Sequence, residues 1–273
     1  MRPSLFLIPL LVSSAACSQQ AEAVRAPATD DPAGATATAS ASSSSTSSGG
    51  SARAVAESTD AYEFKYSYPA QAGAYPELRG YLDSNLSETR AQLVKDAEAW
   101  KVEAAKGAIP FHPYSSGTEW KVVANLPGWL SLSNDFNSFS GGAHGMYGRT
   151  GLLFDKQAKA IRQPMDLFTS PAVLWSAVEK RFCAALKAER EKRIGMPSDT
   201  HDQIFGACPE VSELTLFLGS ANGKTFDRMS LYAGPYVAGA YAEGAYEIDV
   251  DVDDAVLNAV KPEFAAAFTR RQR

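Results

Sequence analysis

The sequence predicts an α+β protein made of two small modules, each an antiparallel sheet packed by a long helix. Three observations carry this reading. Residues 76–107 and 170–193 hold apolar side chains at helical spacings. Short runs of period-two alternation fill much of the remaining chain. Strand, helix and further strands follow one another twice along the chain, the order that segregates helices to one face of a sheet.

The elements follow in order. Tyr62, Phe64, Tyr66 and Tyr68 alternate with Glu63, Lys65 and Ser67, a strand buried on one face that Pro69 ends. Pro76 suits the first turn of a helix whose stripe is Leu78, Leu82, Leu86, Leu93, Ala97, Trp100 and Ala104; Gly107 and Pro110 stop it. Trp120, Val122, Ala124 and Leu126 alternate as the next strand. Leu130 and Leu132 begin another toward Phe136, and residues 146–154 make a third. Residues 155–159 are polar enough for a hairpin loop, after which Ile161 resumes.

The second helix carries Leu174, Val178, Phe182, Ala185 and Leu186, ends in a basic cluster and stops at Gly195 and Pro197. Leu214, Leu216 and Leu218 mark a strand. Asn222-Gly223 signals a hairpin turn, and residues 229–232 return. Tyr246, Ile248, Val250 and Val252 form the apolar face of the last strand, and a short helix from Asp254 to Val260 closes the chain. The module boundary is placed between Lys159 and Gln163, giving modules 59–160 and 161–273.

Ahead of both lies a processing signal. Arg2, the apolar residues 5–12, the small residues Ser14-Ala15-Ala16 and then Cys17 read as a lipoprotein signal over residues 1–17, with lipid on Cys17. Ser18 fits a lipoprotein sent to an outer membrane facing the periplasm. Residues 18–58, with Val24 and Val55 as their only larger apolar side chains, read as a disordered Ala/Ser/Thr-rich tether. No other apolar run approaches a membrane span, so lipid is the expected attachment to the cell envelope.

Net charge is −5, and −6 without the signal. An acidic chain lacks the electrostatic footprint for nucleic acid and favours a cationic partner. With Cys17 assigned to lipid, Cys183 and Cys208 remain, and an oxidising compartment lets them pair.

The run Phe-Ser-Gly-Gly-Ala-His-Gly at 139–145 places glycines around His144, where the backbone can take positive φ between two strands. Tyr68-Pro69, the long helix, the β-rich return and this run together resemble the non-catalytic domain found beside the deacetylase domain of PdaC-type proteins. Pro164-Met165-Asp166-Leu167-Phe168, a helix and the segment 234–244 resemble the extracellular domain of RsiV-type anti-sigma factors. The resemblance implies a binding module for lysozyme-like muramidases or peptidoglycan fragments, without catalysis and without a cofactor.

The deacetylase chemistry itself is not expected. It needs a metal held by aspartate and a His-x-x-x-His pair, whereas His112, His144 and His201 are never four apart. No metal site is expected either: residues 249–260 fail the calcium-loop pattern at Asp254 and Val260. An alternative is a cell-wall hydrolase or esterase using His144 as base with Ser140, oriented by Asp135 or Asp166. The candidate binding residues are His144, Tyr236 and Tyr241, together with the acidic face of the last strand, Glu247, Asp249 and Asp251. Strand periodicity puts these acids on one side, as a solvated face or a docking strip, and Asp253 suits the cap of the next helix. Tyr232, Tyr236, Tyr241 and Tyr246 could form an aromatic platform; Tyr246 reads as core, and Tyr236 and Tyr241 stay open.

Overall fold

The computed structural model describes residues 50–195, 197 and 205–272. Cys17, the signal, most of the tether and His201 lie outside the described residues. The class is α+β: a six-stranded sheet in the order β1 to β6 and a three-stranded sheet β7, β8, β9. All described residues fall in one compact unit.

The first sheet contains β1 (Arg53–Ser58), β2 (Tyr62–Tyr68), β3 (Tyr114–Asn125), β4 (Trp129–Phe139), β5 (Met146–Asp155) and β6 (Ala160–Arg162). A single turn, α1 (Ala70–Gly73), precedes α2 (Pro76–Lys106). Three expectations need correction here. The tether does not reach residue 58, because Arg53–Ser58 pairs in unbroken antiparallel register with β2. Composition hid this strand, since an edge strand needs few apolar side chains; Val55 packs on the core, and Arg53 and Glu57 pair with Asp83 and Arg90 of α2 at 2.8 and 2.7 Å.

The first sheet is also mixed rather than antiparallel, because β2 and β3 run parallel. A 31-residue helix joins them, and such a crossover returns the chain to the end where β2 began. The sheet further runs through β6 to Arg162, so the expected boundary at 160/161 falls inside a strand.

One face of this sheet meets α2. Tyr62, Phe64, Tyr66, Tyr68, Trp120, Leu130, Leu132, Leu152 and Phe154 close over Leu78, Leu82, Leu86, Leu93 and Ala97. Inside it the Tyr66 hydroxyl accepts from Trp120 Nε1 and sits 3.0 Å from both the Leu82 carbonyl and Asn85 Oδ1. Burial pushes the Tyr66 phenol well above its ordinary pKa, which keeps it a neutral anchor.

The second sheet, β7 (Leu214–Gly219), β8 (Arg228–Ala233) and β9 (Tyr246–Asp251), is antiparallel. Its inner face packs on α3 (Pro171–Ile194) and the short α4 (Asp254–Ala259). Ser170 caps α3 by accepting from Val173 N, and Gly195 ends it at φ 74°. The buried stripe is Leu174, Val178, Phe182, Leu186 and Arg190; Ala185 is exposed, since strict i+4 spacing passes it by. Asn222-Gly223 does not make a two-residue hairpin. It sits in a longer loop in which Asn222 Oδ1 accepts from Lys224 N and Thr225 N.

Cys183 and Cys208 form the expected disulfide, Cα–Cα 5.6 Å, closing 25 positions of chain onto α3. Chain-entropy reasoning puts its contribution on the order of 3 kcal/mol. The Pro164–Leu167 segment is a 3-10 turn in which Asp166 accepts from Gln163 N at 2.8 Å and Leu167 is buried, a structural joint.

The two sheets share a core. Ala124, Leu126 and Leu153 of the first sheet pack with Leu214, Leu216 and Leu218 of β7, and Trp129 meets Phe226 and Phe264. Backbones touch at Gly151, where a β-carbon would come within 2.5 Å of the Leu216 carbonyl oxygen. The second face of the six-stranded sheet is therefore divided. One half, with Ser131, Ser133 and Leu153, is buried under β7; the other stays open.

Candidate functional site

The open half of that face and the seam beside it hold the candidate site. Gly141 and Gly142, at φ 92° and 94°, turn the chain between β4 and β5 in a conformation that costs a side-chain-bearing residue about 1 kcal/mol or more. This turn presents His144 to solvent. Its Nδ1 lies 2.9 Å from the Gly145 carbonyl, which can only accept, so the proton sits on Nδ1. Nε2 lies 3.1 Å from the Tyr236 hydroxyl, within hydrogen-bond distance.

Tyr241 stacks on the imidazole at 3.8 Å between centroids and donates its hydroxyl to the Gly145 carbonyl at 2.7 Å. Tyr147 meets Tyr241 edge-on at 5.9 Å, and Tyr236 lies 5.6 Å from it. Tyr236 is 48% exposed and has φ 67°, a left-handed conformation that an aromatic residue adopts only under constraint. Three of the six expected binding residues thus meet, although His144 and Tyr236 are 92 positions apart.

The segment carrying Tyr236 and Tyr241 is pinned from α3. Arg193 Nη1 donates to the Glu243 and Ala245 carbonyls at 2.8 and 2.9 Å, and its guanidinium lies 3.9 Å over the Tyr246 ring. Tyr246 is fully buried, as expected of a core residue, and donates to Glu243 Oε2 at 2.6 Å. Burial first, and the Glu243 carboxylate next, push its phenol up to about 12.

Beside the cluster a groove of about 500 Å³ runs across the open sheet face, lined by Ala54, Ala56, Glu63, Lys65, Ser115 and Asn137 among others. Asn137 is the direct cross-strand partner of Tyr147, and paired residues share a face, so the groove ends at the aromatic cluster. One surface therefore offers aromatic rings at one end and carboxylates, an amide, an ammonium and hydroxyls along its floor.

The acidic face of β9 has a different environment. Glu247, Asp249 and Asp251 do point away from the core. Yet Glu247 is gripped by Arg149 and accepts from Ser230 at 2.7 Å, and Asp249 pairs with Arg228 at 2.9 Å. Asp251 stands 4.0 Å from Arg271. Asp253 accepts from Val256 N as the cap of α4 and pairs with Arg181 at 2.8 Å. Arg149 also binds Asp135 at 2.7 Å and lies 4.6 Å over Phe217, which ties the two sheets together. Burial raises the Asp135 carboxyl, but hydrogen bonds from Lys121 and Arg149 outweigh it and hold the group below its ordinary range. Above this linkage the Tyr232 phenol is pushed up to about 12 by burial.

The residues of the alternative hydrolytic reading do not come together as a triad. Both ring nitrogens of His144 are taken by Gly145 and Tyr236, Asp135 is held by Lys121 and Arg149, and Asp166 caps a turn. Among the described residues, no group of three or more His, Cys, Asp or Glu could hold a metal ion. No described helix is long and apolar enough to cross a membrane.

Sequence reasoning missed Tyr147, Asn137, Arg149 and Arg193. Alternation from Gly145 along β5 puts Tyr147 and Arg149 on one face, the one available signal. Their partners lie in β4, β9 and the 234–245 segment, which no local pattern connects.

Residues 55–147, from β1 to the start of β5, match the family described as deacetylase PdaC. Two solved structures match the chain in part. A DUF3298 family protein from Pseudomonas aeruginosa PAO1 matches with TM-score 0.49 and 17% identity, covering 78% of this chain and 95% of that one. A DUF3298 family member from Bacteroides fragilis NCTC 9343 matches with TM-score 0.45 and 17% identity, covering 75% and 91%. No curated protein matches the chain significantly.

Proposed function

We propose that the protein is a lipid-anchored, non-enzymatic binding protein of the cell envelope, and that it engages a glycan such as a peptidoglycan fragment at the aromatic end of the groove. One observation carries this reading: His144, Tyr236, Tyr241 and Tyr147 form a largely exposed aromatic cluster beside a polar groove whose Asn137 is the cross-strand partner of Tyr147. Sugar rings present C–H faces that pack on such aromatics, and hydroxyl and acetamide groups that pair with carboxylates, amides and hydroxyls. The strained backbone of Tyr236 supports the same reading, because residues held in unfavourable conformations concentrate at ligand clamps.

A second reading, capture of a lysozyme-like cationic protein by β9, draws on the exposure of Asp249, whose side chain is 68% accessible. The arginine partners of all three acids, Arg228 on Asp249 included, weaken it, since a docking cation would have to compete with them.

Calorimetric titration of the full chain in detergent with a disaccharide-peptide fragment of peptidoglycan, and separately with lysozyme, tests both. The glycan reading expects saturable fragment binding that Tyr241→Ala weakens about tenfold, the loss of one good stacking contact. Fragment binding untouched by Tyr241→Ala and by Tyr236→Ala, or no fragment binding at all, would overturn it.

A further inference from the structure

The outer edge of β1 is the least protected strand edge among the described residues, and it is self-complementary. β1 is six residues long, contains no proline or glycine, and pairs with β2 without a bulge. Proteins normally blunt such an edge with charged side chains, prolines, bulges or shortness, and the charges of β1, Arg53 and Glu57, are of opposite sign and drawn onto α2. The remaining edges follow that practice. β6 has three residues. β9 carries Glu247, Asp249 and Asp251, which would face acids of the same kind in a self-pairing. β7 is packed against β5 at Gly151.

β1 reads Arg53-Ala54-Val55-Ala56-Glu57. Paired antiparallel with a second copy about Val55, it sets Arg53 opposite the other copy's Glu57, Glu57 opposite the other Arg53, Val55 opposite Val55, and Ala54 opposite Ala56. Opposite charges directly across an antiparallel pair attract, where like charges would repel. We propose that β1 is a two-fold interface through which two copies of this chain join their six-stranded sheets edge to edge.

The surroundings permit it. Arg53, Val55 and Glu57 pair with Tyr68, Tyr66 and Phe64, so they lie on the helix-covered face. The ion pairs to Asp83 and Arg90 hold the two charged side chains upright beside α2. Ala54 and Ala56 lie on the opposite face, where they line the edge of the groove. With only methyl groups at the join, the grooves of the two copies run into each other, and one long surface carries an aromatic cluster at either end. This interface is independent of what the groove binds.

Two differently tagged copies of the full chain, co-expressed and retrieved through one tag in detergent, test the proposal. Ala54→Asp with Ala56→Asp sets aspartates against aspartates across the two-fold axis while leaving the pairs to α2 untouched. Both alanines are exposed, so the fold tolerates the change. The wild-type copies are expected to co-purify. Co-purification of two Asp/Asp copies should fall about tenfold, and an Asp/Asp copy paired with an Ala54→Lys, Ala56→Lys copy should recover it. No co-purification of the wild type overturns the proposal, including the case in which the chain's own N-terminal residues cover β1. So does co-purification indifferent to all four substitutions, the result of shared micelles or of an interface elsewhere.

Discussion

His144, Tyr236 and Tyr241 and the acidic face of β9 look equally available in the sequence, yet the cluster those three form with Tyr147 and the acids differ in how their side chains are engaged. The aromatic rings pack on one another and leave His144, Tyr147 and Tyr236 exposed, because they sit where a glycine turn and a pinned loop meet at the rim of the sheet. The acids point outward as alternation requires, but arginines from β5, β8 and the C-terminal segment reach them. An outward direction is a property of the strand. Freedom to meet a ligand depends on which neighbours the fold brings alongside.

Arg149 joins the acidic face of β9 to the six-stranded sheet through Glu247 and Asp135, so its removal should have the largest effect. Arg149→Ala leaves Asp135 and Glu247 short of a cation and uncovers Phe217; a loss of about 2–3 kcal/mol is expected, given that the side chain is partly solvated. Scanning calorimetry should register a midpoint lower by roughly 5–10 °C. A change of a degree or less would show that the sheets are held by the shared apolar core alone.

Tyr241→Ala should act more locally. Loss of the stack on His144 and of the hydrogen bond to Gly145 costs about 1–2 kcal/mol, felt mainly by the 140–145 turn. Hydrogen exchange should rise in that turn and stay unchanged along β9; equal acceleration in both would mean the two regions are one cooperative unit.

Acid offers a graded version of the Arg149 experiment. The Asp135 carboxyl is held below its ordinary value in the folded protein, so its contribution is present above about pH 3.9 and is lost as pH falls through the lower, folded value. Wild type should therefore lose stability on acidification below about pH 4 more steeply than Asp135→Asn. Parallel profiles for the two proteins would contradict the assignment.

Tyr236→Gly separates strain from recognition. Glycine accepts φ 67° at no steric cost, so stability should change by less than about 1 kcal/mol while fragment binding weakens. A large loss of stability would make Tyr236 a structural residue. The smallest effect is expected from Asp249→Asn with Asp251→Asn, whose exposed pairs contribute under about 1 kcal/mol each. A marked fall in lysozyme association in that variant would restore the acidic strip as a docking surface.

Much of the architecture was legible from local pattern. Alternation located β2, β3 and β9, the leucine spacing and Pro76 located α2, and Ser170 and Gly195 bounded α3. These signals work because helix and strand periodicities are imposed by short-range geometry, and a half-buried element must match them. The glycine turn at 141 and 142 was legible for the same reason, since the required φ belongs to those residues alone. β1 was not, because an edge strand is stabilised by its neighbour's backbone and by ion pairs to α2, and neither leaves a trace in its own composition. The parallel run of β2 and β3 likewise depends on where α2 delivers the chain. The site divides in the same way. Residue types nominated His144, Tyr236 and Tyr241, while their convergence, the addition of Tyr147, and the neutralising arginines around Glu247 and Asp249 arose from contacts between segments far apart in the chain, which only packing of the two sheets against each other could select.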